Sequence, residues 1–352
     1  MSVVRSMLDN IKEEVKNAET NVIKEILHKS RQNDIGDLSP MFTELLQSKF
    51  TTPLKISFGM KDLHYETLIE NVISLINDIG INKIVIGLSG GADSSVAFAL
   101  YNEVKNRNKN VEIYPYYIKV VSDHGYQNVK MLGEHYGVDI PVVDLTDVYD
   151  TYMNNSAINE SPLRQGNLRA RLRMTFLYEK AHEYGAVVAG NSNFSEFAAG
   201  FWTINGDVGD INVLEGLFKS TEIPKLGEYL NLPEKFWRET PSDGLDITST
   251  NTDEEQIGMS YLEWDILCCL YMTVSSNALM TTGSDDEDGK LKIDIDFFTD
   301  LFKNTINVKP SKEDIDKMNL FFERIEKTRY KRVGPISLDS GNKIGVASMI
   351  EM

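Results

Sequence analysis

Basic residues are scarce in this chain of 352 residues: 36 Lys plus Arg stand against 53 Asp plus Glu, a formal charge of −17. Counterion release from a phosphate backbone needs a basic face, so the acidic excess argues against a nucleic-acid partner. Cysteine is nearly missing. The only two, Cys268 and Cys269, are adjacent inside the apolar run 266–272, where sequence neighbours make poor disulfide partners, so nothing points to an oxidising compartment. No stretch approaches the roughly 18 consecutive apolar residues that a membrane span needs. The N-terminal MSVVRSMLDNIKEEV also lacks the apolar core of a secretory signal. A cytoplasmic chain with no membrane partner is therefore expected. Histidine is sparse too: His28, His64, His124, His135 and His182 are all there are.

What is present is a globular composition, 41% hydrophobic and 25% charged, which excludes a disordered or fibrous chain. Residues 7–27 carry Leu8, Ile11, Val15, Val22 and Ile26 at helical spacing. A short helix near 41–49 follows, and TTPLKISFG (51–59) breaks the pattern; residues 1–60 read as a helical N-terminal extension. After a helix over 63–79, short apolar runs alternate with helical patterns. KIVIGLS (83–89), EIYPYYIKV (112–120), IPVVDL (140–145) and AVVAG (186–190) are the runs. Helical patterns at 94–104, 127–136 and 168–183 separate them. This rhythm predicts an α/β fold, a doubly wound and mostly parallel sheet with helices on both faces and ligands at the carboxyl ends of its strands. Beyond it lie a Gly- and Asp-rich region, a helix over 219–230, a core ending near 272, an acidic solvated insertion over 273–311 that includes SDDEDGK (284–290), and a closing part 312–352 with a helix over 314–327.

The most informative segment is KIVIGLSGGADSSVAFAL (83–100), which puts Ser89, Gly90, Gly91, Asp93 and Ser94 between a buried strand and a helix N-terminus. Glycines let phosphate oxygens approach the backbone, and the first helical N–H groups and the helix dipole attract an anion. Ser89 and Ser94 can add hydroxyl donors, and Asp93 can hold Mg²⁺ against phosphate oxygens. There is no G-x-x-x-x-G-K-[ST] and no G-x-G-x-x-G, so the two commonest nucleotide fingerprints are missing. Gly87 to Gly91 also satisfy G-x-S-x-G, the nucleophile elbow of hydrolases. That reading needs a later histidine, and His182, inside a helical pattern, would have to serve.

In this strand-to-helix setting SGGADS (89–94) resembles the SGGxDS signature of the pyrophosphate-loop ATPases, Rossmann-like enzymes that adenylate a substrate and release pyrophosphate. Three further segments resemble the NAD synthetase family: QGNLRARLRM (165–174), GNSNFSEFAAGFWTINGDVGDINVLEGLFK (190–219), and the set ETPSDGL (239–245), DEEQIGMSYLEWD (253–265) and TRYKR (328–332). The resemblance runs from about 63 to 335.

It implies ATP contacts from Gly87, Leu88, Ser89, Gly90, Gly91, Asp93, Ser94, Ser95, Asn191, Lys219 and Ser242. It implies Mg²⁺ on Asp93 and Glu196, with Lys219 as their catalytic companion. It further implies that Asn167, Arg171, Asp207, Asp210, Tyr330 and Lys331 bind deamido-NAD, in a homodimer using ammonia. Asn191, Ile204 and Tyr330 depart from the family's Thr, Lys and His. With only about 60 residues ahead of the core and both cysteines in an apolar run, no glutamine amidase is expected. Another adenylating ligase of the same loop type, and a silent nucleotide-binding protein, remain alternatives.

Overall fold

The computed structural model describes residues 20–32, 35–59, 63–156, 161–238, 252–282 and 308–332. Five strands form one sheet in the order β3-β2-β1-β4-β5, where β1 is Lys83–Gly87, β2 Glu112–Lys119, β3 Val142–Asp144, β4 Val187–Gly190 and β5 Ile211–Asn212. Every pairing is parallel, and β1 lies in the middle, with Val85 opposite both Tyr114 and Val188.

Side chains alternate across a strand, and β1 uses both faces. Ile84 and Ile86 pack in one core with Val96, Leu100 and Val104 of α1 (Ala92–Arg107) and with Ile69 and Ile76 of the helix Leu63–Ile79. Val85 packs in another core with Met174 and Leu177 of α2 (Pro162–Tyr184) and Tyr149 of the helix Thr146–Asn155. Helices thus cover both faces, as a doubly wound sheet requires. The strand order turns back between β1 and β4, and the loops leaving these two strands open a crevice at their carboxyl ends.

A third core lies outside the sheet. Ile26, Phe42, Leu45 and Leu54, from the part of the chain before the sheet, pack with Trp264, Ile266 and Leu270 of α3 (Tyr261–Thr282) and with Phe321 of α4 (Lys312–Lys327). Ser311 and Asp314 form a capping box at the start of α4, and the Ser39 hydroxyl donates to Asp314 Oδ1 at 2.6 Å.

Several elements differ from expectation. TTPLKISFG does not break the pattern: Thr52–Gly59 is helical, with Pro53 in the first turn, where its missing N–H removes no helical bond. The helix expected over 219–230 starts at Glu222, which leaves Lys219 in a loop. Strand β5 was not foreseen. Helix α3 continues through 273–282, beyond the expected start of the insertion. The run SDDEDGK, the segment ETPSDGL with Ser242, and most of the helix expected at 7–27 lie outside the described residues, although 20–29 is helical. No helix among the described residues is long and apolar enough to cross a membrane.

Candidate active site

Ser89–Gly91 leave β1 and lead into α1, whose N-cap Gly91 makes no side-chain capping bond. The N–H groups that open a helix have no intrahelical acceptor, and at the end of β1 they suit an anion. Two glycines shape this turn. Gly90 (φ 85°) and Gly125 (φ 86°), from the loops after β1 and β2, pack backbone to backbone, and a Cβ on either would run into the backbone of the other loop. Ser94 Oγ accepts from Ser89 N at 3.2 Å, and Asn128 Nδ2 donates to Gly90 O at 3.1 Å, which fixes the loop. Ser95 is turned inward, donating to Gly91 O at 2.9 Å.

Ser89 Oγ meets Ser94 Oγ at 3.1 Å and accepts from Gly91 N at 3.2 Å, while His182 is exposed on α2. The nucleophile-elbow reading is overturned by this, since an elbow serine needs a histidine as its base.

The loop after β4 faces the same crevice. Asn193, fully buried, caps the helix Phe194–Ala199 by accepting from Glu196 N at 3.0 Å, and its Nδ2 donates to Asp93 Oδ1 at 3.1 Å. One amide side chain thereby holds the Asp93 carboxylate and starts the helix that carries Glu196. Lys219 Nζ lies between them, donating to Asp93 Oδ2 and, at 3.3 Å, to Glu196 Oε1. The loop carrying Lys219 is held from behind. Lys219 N donates to Ser195 Oγ at 2.9 Å, and the Ser220 hydroxyl donates to Asp265 Oδ2 at 2.6 Å.

Burial pushes the Glu196 carboxyl up to about 8; Lys219 opposes this, and the charges of Asp93 and Asp253 add to it. Burial alone would lower the Lys219 ammonium, but Asp93, Glu196 and Asp253 outweigh it and hold that group above its ordinary value. Three acids thus face one ammonium.

Among the described residues no three His, Cys, Asp or Glu side chains converge on one metal position. Magnesium, however, is ordinarily held by one or two carboxylates together with phosphate oxygens and water. Asp93 and Glu196, bridged by a cation and carrying excess negative charge with Asp253, fit that pattern.

The cavity at this end measures about 280 Å³ and is lined by Gly87, Leu88, the SGG turn, Asp93, Ser94, Asn191, Glu196 and Asp207 of the expected residues. Asn191 Nδ2 donates to Gly87 O at 2.9 Å, tying the ends of β1 and β4 together. Apart from Asp207, the residues expected on the dinucleotide side lie outside the lining. Arg171 Nε donates to Ile204 O at 3.1 Å on the surface. Asn167 Oδ1 accepts from Thr203 Oγ1 at 2.8 Å, and Asp207 accepts from Thr203 N. Asp210 accepts from Val188 N at 2.9 Å and from Tyr178 OH at 3.0 Å, a tie between β4 and α2. Lys331 donates to Gly200 O at 2.8 Å and sits 5.3 Å from the Trp202 ring, while Tyr330 is exposed.

Sequence reasoning missed Asn193, Asn128 and Asp253, and among the three arginines of RARLR the resemblance pointed to Arg171 rather than Arg173. Asn193 had a signal, an N-cap residue three before a glutamate. Arg173, the third arginine of RARLR, donates to Ile118 O at 3.2 Å and faces the cavity. Asp253 had only its place at the head of DEEQIGMSYLEWD, where it is one acid in the run DEE.

Comparison with known proteins meets this geometry. A sequence model of the NAD synthase family matches residues 64–293. The NH(3)-dependent NAD(+) synthetase of Pyrococcus horikoshii is 32% identical over 204 residues, 57% of this chain and 77% of that one. The enzyme of the same name from Methanocaldococcus jannaschii is 31% identical over 265 residues, 74% of this chain and 90% of that one. Among solved structures, an NMN synthetase from Francisella tularensis superposes with a TM-score of 0.57 at 24% identity, and an NH3-dependent NAD synthetase from Campylobacter jejuni with 0.54 at 21%. In each case 78% of this chain and 96% of the other are covered, which shows a shared fold. The chain belongs to the NAD synthase family, whose members are ligases.

Proposed function

We propose that this enzyme adenylates the nicotinate carboxylate of deamido-NAD with ATP and lets ammonia displace AMP, giving NAD and pyrophosphate. The observation that carries the reading is the meeting of Asp93, in the first turn of α1, with Glu196 and Lys219 from the chain beyond β4 at the β1–β4 crevice. A carboxylate resists attack by a nucleophile because it is negatively charged and would have to expel oxide. Adenylation removes both obstacles by turning that oxygen into part of a phosphate leaving group.

The α1 amides and the Ser89 and Ser94 hydroxyls would hold the phosphates, and the Lys219 ammonium would offset the charge gathering on departing pyrophosphate. Mg²⁺, when bound by Asp93 and Glu196, would supply further neutralisation of the phosphate oxygens. Asn193 keeps the Asp93 carboxylate aimed and caps the helix that carries Glu196. Ser95 supports the loop from behind, and Ser242 belongs to the ATP contacts of the same proposal. Ammonia enters as the free nucleophile: burial raises the Cys268 and Cys269 thiols, which leaves neither suited to open glutamine.

Asn167, Arg171, Asp207, Asp210, Tyr330 and Lys331 are proposed for the dinucleotide side. Asp210 and Lys331 are bonded to backbone within the protein, which favours, as a second reading, the same chemistry on the shorter nicotinate mononucleotide. The proposed organisation is a core of 61–272 with 312–352, an extension 1–60 and an insertion 273–311, in a cytoplasmic homodimer.

The test is NAD formation and pyrophosphate release from MgATP with deamido-NAD, with and without ammonium, and with the mononucleotide as alternative acceptor. Ammonium-dependent NAD with one pyrophosphate per turnover is expected. Asp93→Asn should lower kcat at least about 100-fold with folding intact. Pyrophosphate release that ignores both acceptors would remove the reading.

A further inference from the structure

Residues before 64 lie outside the family match, yet they reach both segments that flank Lys219. On one side Lys29, 3% exposed, pairs with Glu228 Oε2 at 2.9 Å and stands 4.4 Å over the Trp237 ring. Glu228 belongs to the helix Glu222–Tyr229, which directly follows the Lys219 loop. On the other side Arg31 Nη2 donates to Glu254 Oε1 at 3.0 Å, and that same oxygen accepts from Tyr261 N at 2.9 Å. The bridged stretch begins with Asp253, 3% exposed, which lines the nucleotide cavity and acts electrostatically on Lys219 and Glu196. It ends at Tyr261, whose ring lies 5.6 Å from Lys219 Nζ.

Arg31 has a backbone as unusual as its contact. The helix at 20–29 ends with Gln32 N donating to Leu27 O at 2.9 Å, a closure that puts residue 31 in the left-handed region, where φ is 65°. Glycine takes that conformation freely, and a residue with a Cβ does so against resistance. If Arg31 served only to end a helix, glycine would serve better. An arginine there is explained by its guanidinium, which reaches across 223 residues of sequence to Glu254.

We propose that Arg31 is a positioning residue for the nucleotide end of the active site: through Glu254 it holds the stretch from Asp253 to Tyr261 against Lys219 and the two carboxylates. The inference rests on the reading of this cavity as the MgATP site. It gives the N-terminal extension a task beyond covering apolar surface, namely bracing the Asp253 side of the site.

Arg31→Gly separates this from a purely structural role, because it relieves the backbone while deleting the tether. Titration calorimetry of MgATP on the full chain should show binding weakened about fivefold, in line with loss of one partly buried charge-assisted bond. The melting temperature should stay level or rise, Arg31→Lys should recover part of the affinity, and Arg31→Gly should add little in a Glu254→Gln background. Wild-type affinity in Arg31→Gly, or full multiplication of the two losses, overturns the tether. Wild-type protein that binds MgATP but makes no NAD would overturn the proposed reaction and leave the Arg31 comparison decisive; absence of MgATP binding in the wild type overturns both.

Discussion

Glu196 and Asp265 are acids whose burial is incompletely offset, and both are pushed up, to about 8 and about 7 respectively. For Asp265 burial outweighs the hydrogen bonds from Ser195 and Ser220. An acid raised in the folded state keeps a proton that the unfolded chain releases. Its stabilising contribution is therefore complete below the ordinary carboxylate range and is lost as pH climbs through 7 and 8. Lys219 is raised as well, but its contribution is lost only above the ordinary lysine range, so it does not oppose the trend. With EDTA present, the melting temperature should fall between pH 5 and pH 8, and Glu196→Gln should flatten part of that slope. Magnesium needs the deprotonated carboxylates, so added MgCl2 should stabilise more at pH 8 than at pH 6. Scanning calorimetry in the two buffers decides the matter; a profile that rises with pH in EDTA would contradict the assigned shifts.

Two turns built on glycine allow a comparison between elements. Gly125 caps the helix Tyr126–Tyr136 at its start and Gly137 at its end, both with positive φ. A methyl group at Gly137 meets nothing within 4 Å, whereas one at Gly125 meets the Ser89 carbonyl. Gly137→Ala should therefore lose only the conformational preference, about 1 kcal/mol. Gly125→Ala should lose more, about 2–4 kcal/mol, and should also weaken MgATP binding by displacing the phosphate turn. Urea unfolding with parallel MgATP titration checks this, and equal losses in both variants would sever the link between this turn and the site.

The same contrast explains what could be read beforehand. Strands β1, β2 and β4 are apolar runs closed by turn residues, and α1 and α2 have clear helical spacing, so the sheet, its crevice and the SGG turn were legible. Strand β5 has two residues and no periodicity of its own; it exists because Asp210 and β4 hold it in place. Thr52–Gly59 reads as a breaker because proline in a first turn looks like proline in a helix interior. The Asp93–Lys219–Glu196 cluster needed the family resemblance, since one lysine and two acids spread between positions 93 and 219 leave no local pattern. Asp210 and Lys331 were expected at a ligand and are bonded to backbone, a distinction that residue type cannot carry.

At the scale of the whole molecule, the proposed homodimer has to overcome electrostatic repulsion between two chains each carrying a formal charge of −17. An apolar contact must then supply the attraction. Val142 of β3 and Val148 and Tyr152 of the helix Thr146–Asn155 are about half exposed, on consecutive elements at the β3 edge of the sheet. Val148 and Tyr152 are four apart and share one helix face. Association by apolar burial against like-charge repulsion has a characteristic salt dependence. Raising NaCl from about 0.02 M to about 0.3 M shortens the screening length from roughly 20 Å to roughly 6 Å, so the repulsion fades while the apolar term persists. Sedimentation equilibrium should accordingly show a dimer that tightens with salt, the reverse of an assembly held by ion pairs. Tyr152→Glu adds a charge to the apolar face and should shift the protein toward monomer at every salt concentration. A wild-type monomer with full NAD-forming activity at both salt concentrations would eliminate the dimer and locate the complete site within one chain.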